Sequence, residues 1–258
     1  MTRSLDGMIT LVTGASSGIG AACCEVFAEA GSNVILMARR RERIAELASS
    51  LSSTYNVETY AMVCDVRDRQ AVVRELDNLP ERWQAVDVLI NNAGLARGLA
   101  PLHEGYFEDW DEMIETNLVG LLNVTRALLP GMVERKRGMI INIGSIAGRE
   151  VYPNGNVYCA TKHAVRALSQ ALQLDLLGSG IRVTNLDPGM VETEFSVVRF
   201  RGNMERAASV YASMTPLRPR DVAEVALFCA TRPPHVSIHD ILVMPRDQAS
   251  TTFVHRKQ

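Results

Sequence analysis

Thr13-Gly14-Ala15-Ser16-Ser17-Gly18-Ile19-Gly20 is the stretch on which the fold turns. It follows Met8-Ile9-Thr10-Leu11-Val12, an apolar run of the length expected for a strand buried on both faces. It opens a helical stretch, Gly18 to Ala30, that stops at Gly31. Glycines in this turn allow a tight bend and close backbone approach. The free N–H groups and positive dipole end of the following helix favour a phosphate. The spacing is neither Gly-x-Gly-x-x-Gly nor a P-loop, which would continue Gly-Lys-Ser/Thr. A purely structural turn is the alternative to a dinucleotide-binding one.

Strand and helix signals alternate along the rest of the chain. Asn33 to Ala38 reads as a second strand and Arg41 to Leu51 as a second helix. Thr59 to Cys64, Val86 to Ile90, Met139 to Ile143 and Ile181 to Leu186 are strands three to six, and Ile241 to Met244 a seventh. Helices are expected over Arg67–Leu79, about Trp110–Leu129 (with Pro130-Gly131 interrupting its continuation) and Val157–Leu177. Two further helical stretches precede the last strand. This rhythm means βαβ units, and so one α/β domain over residues 1–258: a doubly wound parallel sheet with helices on both faces. Such sheets take ligands beyond the carboxyl ends of their strands.

Composition narrows the function classes. In 258 residues, 27 Lys plus Arg stand against 29 Asp plus Glu, a formal net charge of −2, so there is no general drive toward nucleic acid. No apolar run approaches the roughly 20 residues of a membrane helix, and Met1 to Asp6 lacks the apolar stretch of a leader, which predicts a cytoplasmic protein. Cys23, Cys24, Cys64, Cys159 and Cys229 are odd in number and lack ligand spacing, so reduced, buried thiols are expected. His235 and His239 have no third ligand and His163 follows Lys162 onto another helix face; no metal site is expected.

Two strand ends carry chemistry. The second runs into Ala38-Arg39-Arg40, where an NAD-binding fold would place an acid for the ribose 2′-hydroxyl. Positive charge suits the 2′-phosphate of NADP instead, with Arg39 the better placed of the pair and a solvated helix start as the alternative. Beyond the fifth strand come Ser145 and then Tyr158 and Lys162, four apart on one helix face. A neighbouring ammonium would favour the phenolate and bring Tyr158 down toward neutral pH. The Asp187-Pro188-Gly189 corner is expected to expose backbone donors.

Together with Asn91-Asn92-Ala93-Gly94 and Asn117, these motifs resemble the short-chain dehydrogenase/reductases over nearly the whole chain, which implies a Rossmann-like fold. The resemblance implies Tyr158 as general acid/base, Ser145 polarising the substrate oxygen, Lys162 on the nicotinamide ribose, and Asn117 kinking its helix and positioning a water. It implies cofactor contacts from Gly14, Ser16, Ser17, Gly18, Ile19, Gly20, Arg39, Arg40, Asp65, Val66, Asn92, Ala93, Gly94, Tyr158, Lys162, Pro188, Gly189, Val191 and Thr193. Thr193-Glu194-Phe195-Ser196, Thr215-Pro216-Leu217 and the tail are similar to the NADP-dependent 3-hydroxy acid (serine/allo-threonine) dehydrogenase branch. That branch implies a homotetramer and a small-molecule substrate under a covering segment at about 190–220. An anionic substrate needs a cation, for which Arg199 is the first candidate and Arg149 the second. Alternatives are a broad-specificity NADPH-dependent carbonyl reductase, a non-catalytic NADP-binding sensor or scaffold, and a nucleotide-sugar isomerase or dehydratase.

Overall fold

In the computed structural model, which describes residues 4–257, seven strands form one parallel sheet. The opening Met1-Thr2-Arg3 lies outside the described residues. The elements are β1 (Ile9–Thr13), α1 (Gly18–Glu29), β2 (Asn33–Ala38), α2 (Arg41–Tyr55), β3 (Thr59–Val63), α3 (Arg69–Asp77), α4 (Glu81–Gln84) and β4 (Val88–Asn91). They continue with α5 (Phe107–Ile114), α6 (Gly120–Arg135), β5 (Gly138–Ile143), α7 (Asn156–Asp175) and β6 (Ile181–Pro188). Three short helices, α8 (Phe195–Arg199), α9 (Met204–Ser209) and α10 (Pro219–Ala230), precede β7 (Asp240–Val243).

The order is β3-β2-β1-β4-β5-β6-β7. The chain reverses direction across the sheet between β1 and β4, and the crevice at that switch point is where such folds bind ligands. Side chains alternate between the two faces. Leu11, Ile35, Leu89 and Ile140 pack with Val72, Trp83, Val124 and Met132 on one side. Val12, Leu36, Ile90 and Ile141 pack with Phe27, Cys24, Val222 and Ala226 on the other. Burial on both faces explains why these strands are apolar runs rather than alternations.

Two local expectations fail, one for a tertiary reason and one for a local one. Pro130-Gly131 does not interrupt the helix; α6 runs through Pro130 to Arg135. The lost N–H bond is outweighed because the following turn is anchored: Met132 is fully buried and Arg135 donates to the Val86 carbonyl at 2.8 Å. The third helix begins at Arg69, since Asp68 caps it by accepting from the Ala71 amide at 3.0 Å. Between α5 and α6, Glu115–Val119 forms one π-helical turn, and this displaced register carries Asn117.

Candidate active site

A cleft of about 580 Å³ lies along the carboxyl ends of the strands. Its floor is stitched together by Thr13, whose Oγ1 accepts from the amides of Asn92 and Ala93 at 3.0 Å each, while Asn92 Nδ2 donates to the Thr13 carbonyl at 2.9 Å. Gly14 has φ +67°, and a Cβ there would sit 2.9 Å from the Ala93 Cα. At Gly20 a Cβ would sit 2.3 Å from the Gly14 carbonyl, so helix and turn touch only because that side chain is missing. Helix α1 begins without an acidic residue in its first turn and without a side-chain cap from Ser17. Its N-terminal amides are therefore open toward the cleft, an anion site in electrostatic terms.

At the end of β2 the two arginines part. Arg40 donates from Nε to Ser16 Oγ at 3.0 Å and from Nη2 to Ser17 Oγ at 2.6 Å. Arg39 is more exposed, at 56%, and lies 3.7 Å from the Asp65 carboxylate. The sequence expectation favoured Arg39; the structure puts Arg40 on the turn's hydroxyls. Asp65 also holds Arg67 by a bidentate bond, and the Arg67 bonds keep its carboxyl below the usual range although burial opposes them.

The other end of the cleft gathers Ser145, Tyr158 and Lys162. Tyr158 is 9% and Lys162 6% exposed, and they share one face of α7. Lys162 Nζ donates to the Ile143 carbonyl at 2.9 Å. Ser145 Oγ accepts from the Ala147 amide at 3.1 Å, and its own amide donates to Asp187 Oδ1 at 2.9 Å. Asn117 and Gly20 do not line the cleft but stand behind it. Asn117 Nδ2 donates to the Leu95 carbonyl (2.9 Å) and Thr161 Oγ1 (3.0 Å), and its Oδ1 accepts from the Leu95 amide (2.8 Å). A Cβ on Gly94 would lie 3.3 Å from Asn117 Oδ1 and 3.5 Å from Lys162 Nζ, so these three groups meet at one point.

Residues 8–203 match the short chain dehydrogenase family model. This chain belongs to the short-chain dehydrogenase family. An NADP-dependent 3-hydroxy acid dehydrogenase of Salmonella typhi is 49% identical over 251 residues, covering 96% of this chain and 100% of that one. Sulfoacetaldehyde reductase 2 of Chromohalobacter salexigens is 46% identical over 246 residues, covering 95% and 97%. The closed form of a serine dehydrogenase complexed with NADP+ matches with a TM-score of 0.91 at 45% identity, covering 97% of this chain and 100% of that one. The short-chain dehydrogenase described here is an oxidoreductase acting on CH–OH groups.

Burial dominates the electrostatics of this short-chain dehydrogenase. It pushes the Tyr158 phenol above its ordinary value, against the Ser145 hydrogen bond and the Arg199 guanidinium, which lower it. That is opposite to the direction expected from Lys162 alone. Burial also brings Lys162 down to about 8, although Asp187 opposes the shift.

The Asp-Pro-Gly corner also differs from expectation. Gly189 donates to the Val243 carbonyl at 2.7 Å and Met190 to Gln248 Oε1 at 2.8 Å, so those amides are already used. Arg149 does not line the cleft. It pairs with Asp187 at 2.7 Å and with Asp240. The buried Asp187 carboxylate, held under Ser145, had no local signal in a motif read for its turn. Tyr152 and Phe195 were also missed: Phe195 packs on Tyr158 at a centroid distance of 5.6 Å, and Tyr152 OH accepts from Arg199 Nη2 at 2.9 Å. All five cysteines are buried and unpaired. Among the described residues no cluster of His, Cys, Asp and Glu could hold a metal, and no helix is long and apolar enough to cross a membrane.

Proposed function

We propose that this short-chain dehydrogenase transfers a hydride between NADP and the 3-hydroxyl or 3-oxo carbon of a small hydroxy acid or hydroxy amino acid, with Tyr158 as general acid/base. One observation carries the substrate class. Among the arginines lining the cleft, Arg39 and Arg40 have carboxylate partners, whereas Arg199 has none among the described residues. Its guanidinium lies 5.8 Å from the centre of the Tyr158 ring, held by Nε on the Gly98 carbonyl at 3.0 Å and by Nη2 on Tyr152. An unpaired cation beside the proton donor suits a carboxylate or sulfonate a short distance from the reacting carbon. The relatives named for 3-hydroxy acids, serine and sulfoacetaldehyde support the same reading.

The cofactor is NADP, and the cleft fits it: the missing side chain at Gly14, the uncapped start of α1, and guanidinium groups at the end of β2 suit a pyrophosphate and a 2′-phosphate. When bound, it supplies the hydride donor or acceptor. Ser145 would donate to the substrate oxygen, and Tyr158 would give that oxygen its proton on reduction or take it on oxidation. Lys162, charged below about pH 8, would stabilise the phenolate left behind and hold the cofactor ribose. Asn117 would fix the backbone at Leu95 behind them. Asp65, Val66, Asn92, Ala93, Gly94, Pro188, Gly189, Val191 and Thr193 complete the cofactor groove in this reading.

The segment at about 190–220 would cover the substrate. In support, it reaches both rims: the Arg199 carbonyl accepts from the Gly98 amide at 3.1 Å, and Glu194 crosses to Arg40. A cytoplasmic homotetramer completes the proposal, supported by the apolar surface that Ile114, Leu122 and Val133 leave along α5 and α6.

Absorbance at 340 nm with NADP and a panel of 3-hydroxy acids, including serine and allo-threonine, tests the reaction. NADP reduction confined to the acids is expected, and Arg199→Met should lower kcat/KM for them about 10- to 100-fold while sparing neutral alcohols. Activity on neutral ketones or aldehydes alone would move the protein to the carbonyl-reductase reading. For the cofactor, Arg39→Asp and Arg40→Asp should each weaken NADP by about 10- to 100-fold relative to NAD, with the larger effect at Arg40. Unchanged Kd ratios in fluorescence titrations would show that the 2′-phosphate is held elsewhere.

A further inference from the structure

Glu194 follows Thr193 at the start of the covering segment, 154 positions along the chain from Arg40. Its Oε2 accepts from Arg40 Nη1 at 2.8 Å and its Oε1 from Arg43 Nη1 at 2.6 Å. The same Arg40 guanidinium holds the hydroxyls of Ser16 and Ser17 at the phosphate-binding turn. Five polar groups at this corner, Ser16, Ser17, Arg39, Arg40 and Glu194, line the cleft. A carboxylate thus engages the guanidinium that reaches furthest toward the phosphate turn.

We infer that Glu194 is a resident anion in the 2′-phosphate seat, competing with the phosphate for Arg40 and thereby narrowing the selectivity for NADP over NAD. The inference rests on the reading of this corner as the 2′-phosphate seat. Three features of the corner argue for competition rather than support. Arg40 spends three of its five N–H donors on Ser16, Ser17 and Glu194, so an incoming phosphate must share the guanidinium with a carboxylate already on it. Two negative groups on one guanidinium repel, and the seat is exposed enough that the repulsion is screened rather than abolished. A carboxylate is also the group that dinucleotide folds use to hold a free ribose 2′-hydroxyl. The Arg40 and Arg43 bonds pull the Glu194 carboxyl down to about 2, so it stays charged at any working pH.

The side chains of Arg40, Arg43 and Glu194 are all two-fifths to one-half exposed, which keeps each pair weak. The effect on binding is correspondingly moderate.

The test is equilibrium binding of adenosine 2′,5′-bisphosphate and of 5′-AMP, each followed by calorimetry on the full chain and on Glu194→Gln. These probes differ only in the 2′-phosphate. Glu194→Gln is expected to tighten the bisphosphate about three- to tenfold and not to tighten 5′-AMP. Equal Kd values for the bisphosphate in both proteins, or weaker binding in the variant, would overturn the inference and make Glu194 a neutral or supporting neighbour. If the parent protein itself fails to prefer the bisphosphate over 5′-AMP, the placement of the 2′-phosphate at this corner fails first, and the role of Glu194 with it.

Discussion

Tyr158→Phe is expected to lower kcat by about 10²- to 10⁴-fold, the range that a positioned proton donor contributes, while the Kd for NADP is unchanged. The substitution removes the hydroxyl and keeps the ring, so the packing against Phe195 at 5.6 Å survives and the fold is retained. Burial holds the phenol above its ordinary value, which keeps Tyr158 protonated at neutral pH and ready to donate in the reducing direction. In the proposed reaction, oxidation would need the phenolate, whose stabilisation would fall to Lys162. Steady-state kinetics in both directions, with cofactor binding and melting temperature as controls, check the prediction. Near-normal turnover would remove Tyr158 from the proton transfer.

Arg149→Ala is expected to destabilise the protein by roughly 3 kcal/mol, because it strands a buried carboxylate. The Asp187 side chain is 0% exposed, and Arg149 is paired with it at 2.7 Å. For a chain of this length that loss corresponds to a fall in Tm on the order of 6–12 °C. Burial already raises the Asp187 carboxyl, and Arg149 lowers it, so removing Arg149 raises it further. The folded state then holds the Asp187 proton more tightly than the unfolded chain. Stability is therefore greatest where Asp187 is protonated in both states and is lost as pH rises through the folded value, so the Tm deficit should be larger at neutral pH than below the ordinary carboxylate range. Adding Asp187→Asn should restore much of the loss, since an amide oxygen can still accept from the Ser145 amide without a buried charge. A deficit independent of pH, or unrelieved in the double variant, would show that Arg149 acts through packing alone.

Much of this was legible in the chain. The strands are apolar runs because both faces of a parallel sheet are buried, and that pattern is local, so β1, β2 and β5 fell within a residue or two of their observed ends. The turn at Thr13–Gly20 was legible because backbone proximity forbids a side chain there, and only glycine satisfies that. Tyr158 and Lys162 were legible because helical spacing alone puts them on one face.

Other features depend on residues that are distant in sequence. Pro130 is a helix breaker by local preference, yet Met132 and the Arg135 bond to Val86 carry the helix through it. Arg39 and Arg40 are equivalent basic neighbours in the sequence; the Ser16 and Ser17 hydroxyls and a glutamate 154 positions away separate them. Arg149 and Arg199 were both plausible anion binders, and what distinguishes them is a carboxylate partner: Asp187 and Asp240 for the first, none among the described residues for the second. Periodicity and turn chemistry are written in neighbouring residues, so the sequence alone determined the parallel sheet, the glycine turn after its first strand and the helix face that Tyr158 and Lys162 share. Charge pairing and burial depend on which distant groups the fold brings together, so only the tertiary structure decided which arginine is free and which way the Tyr158 proton is held.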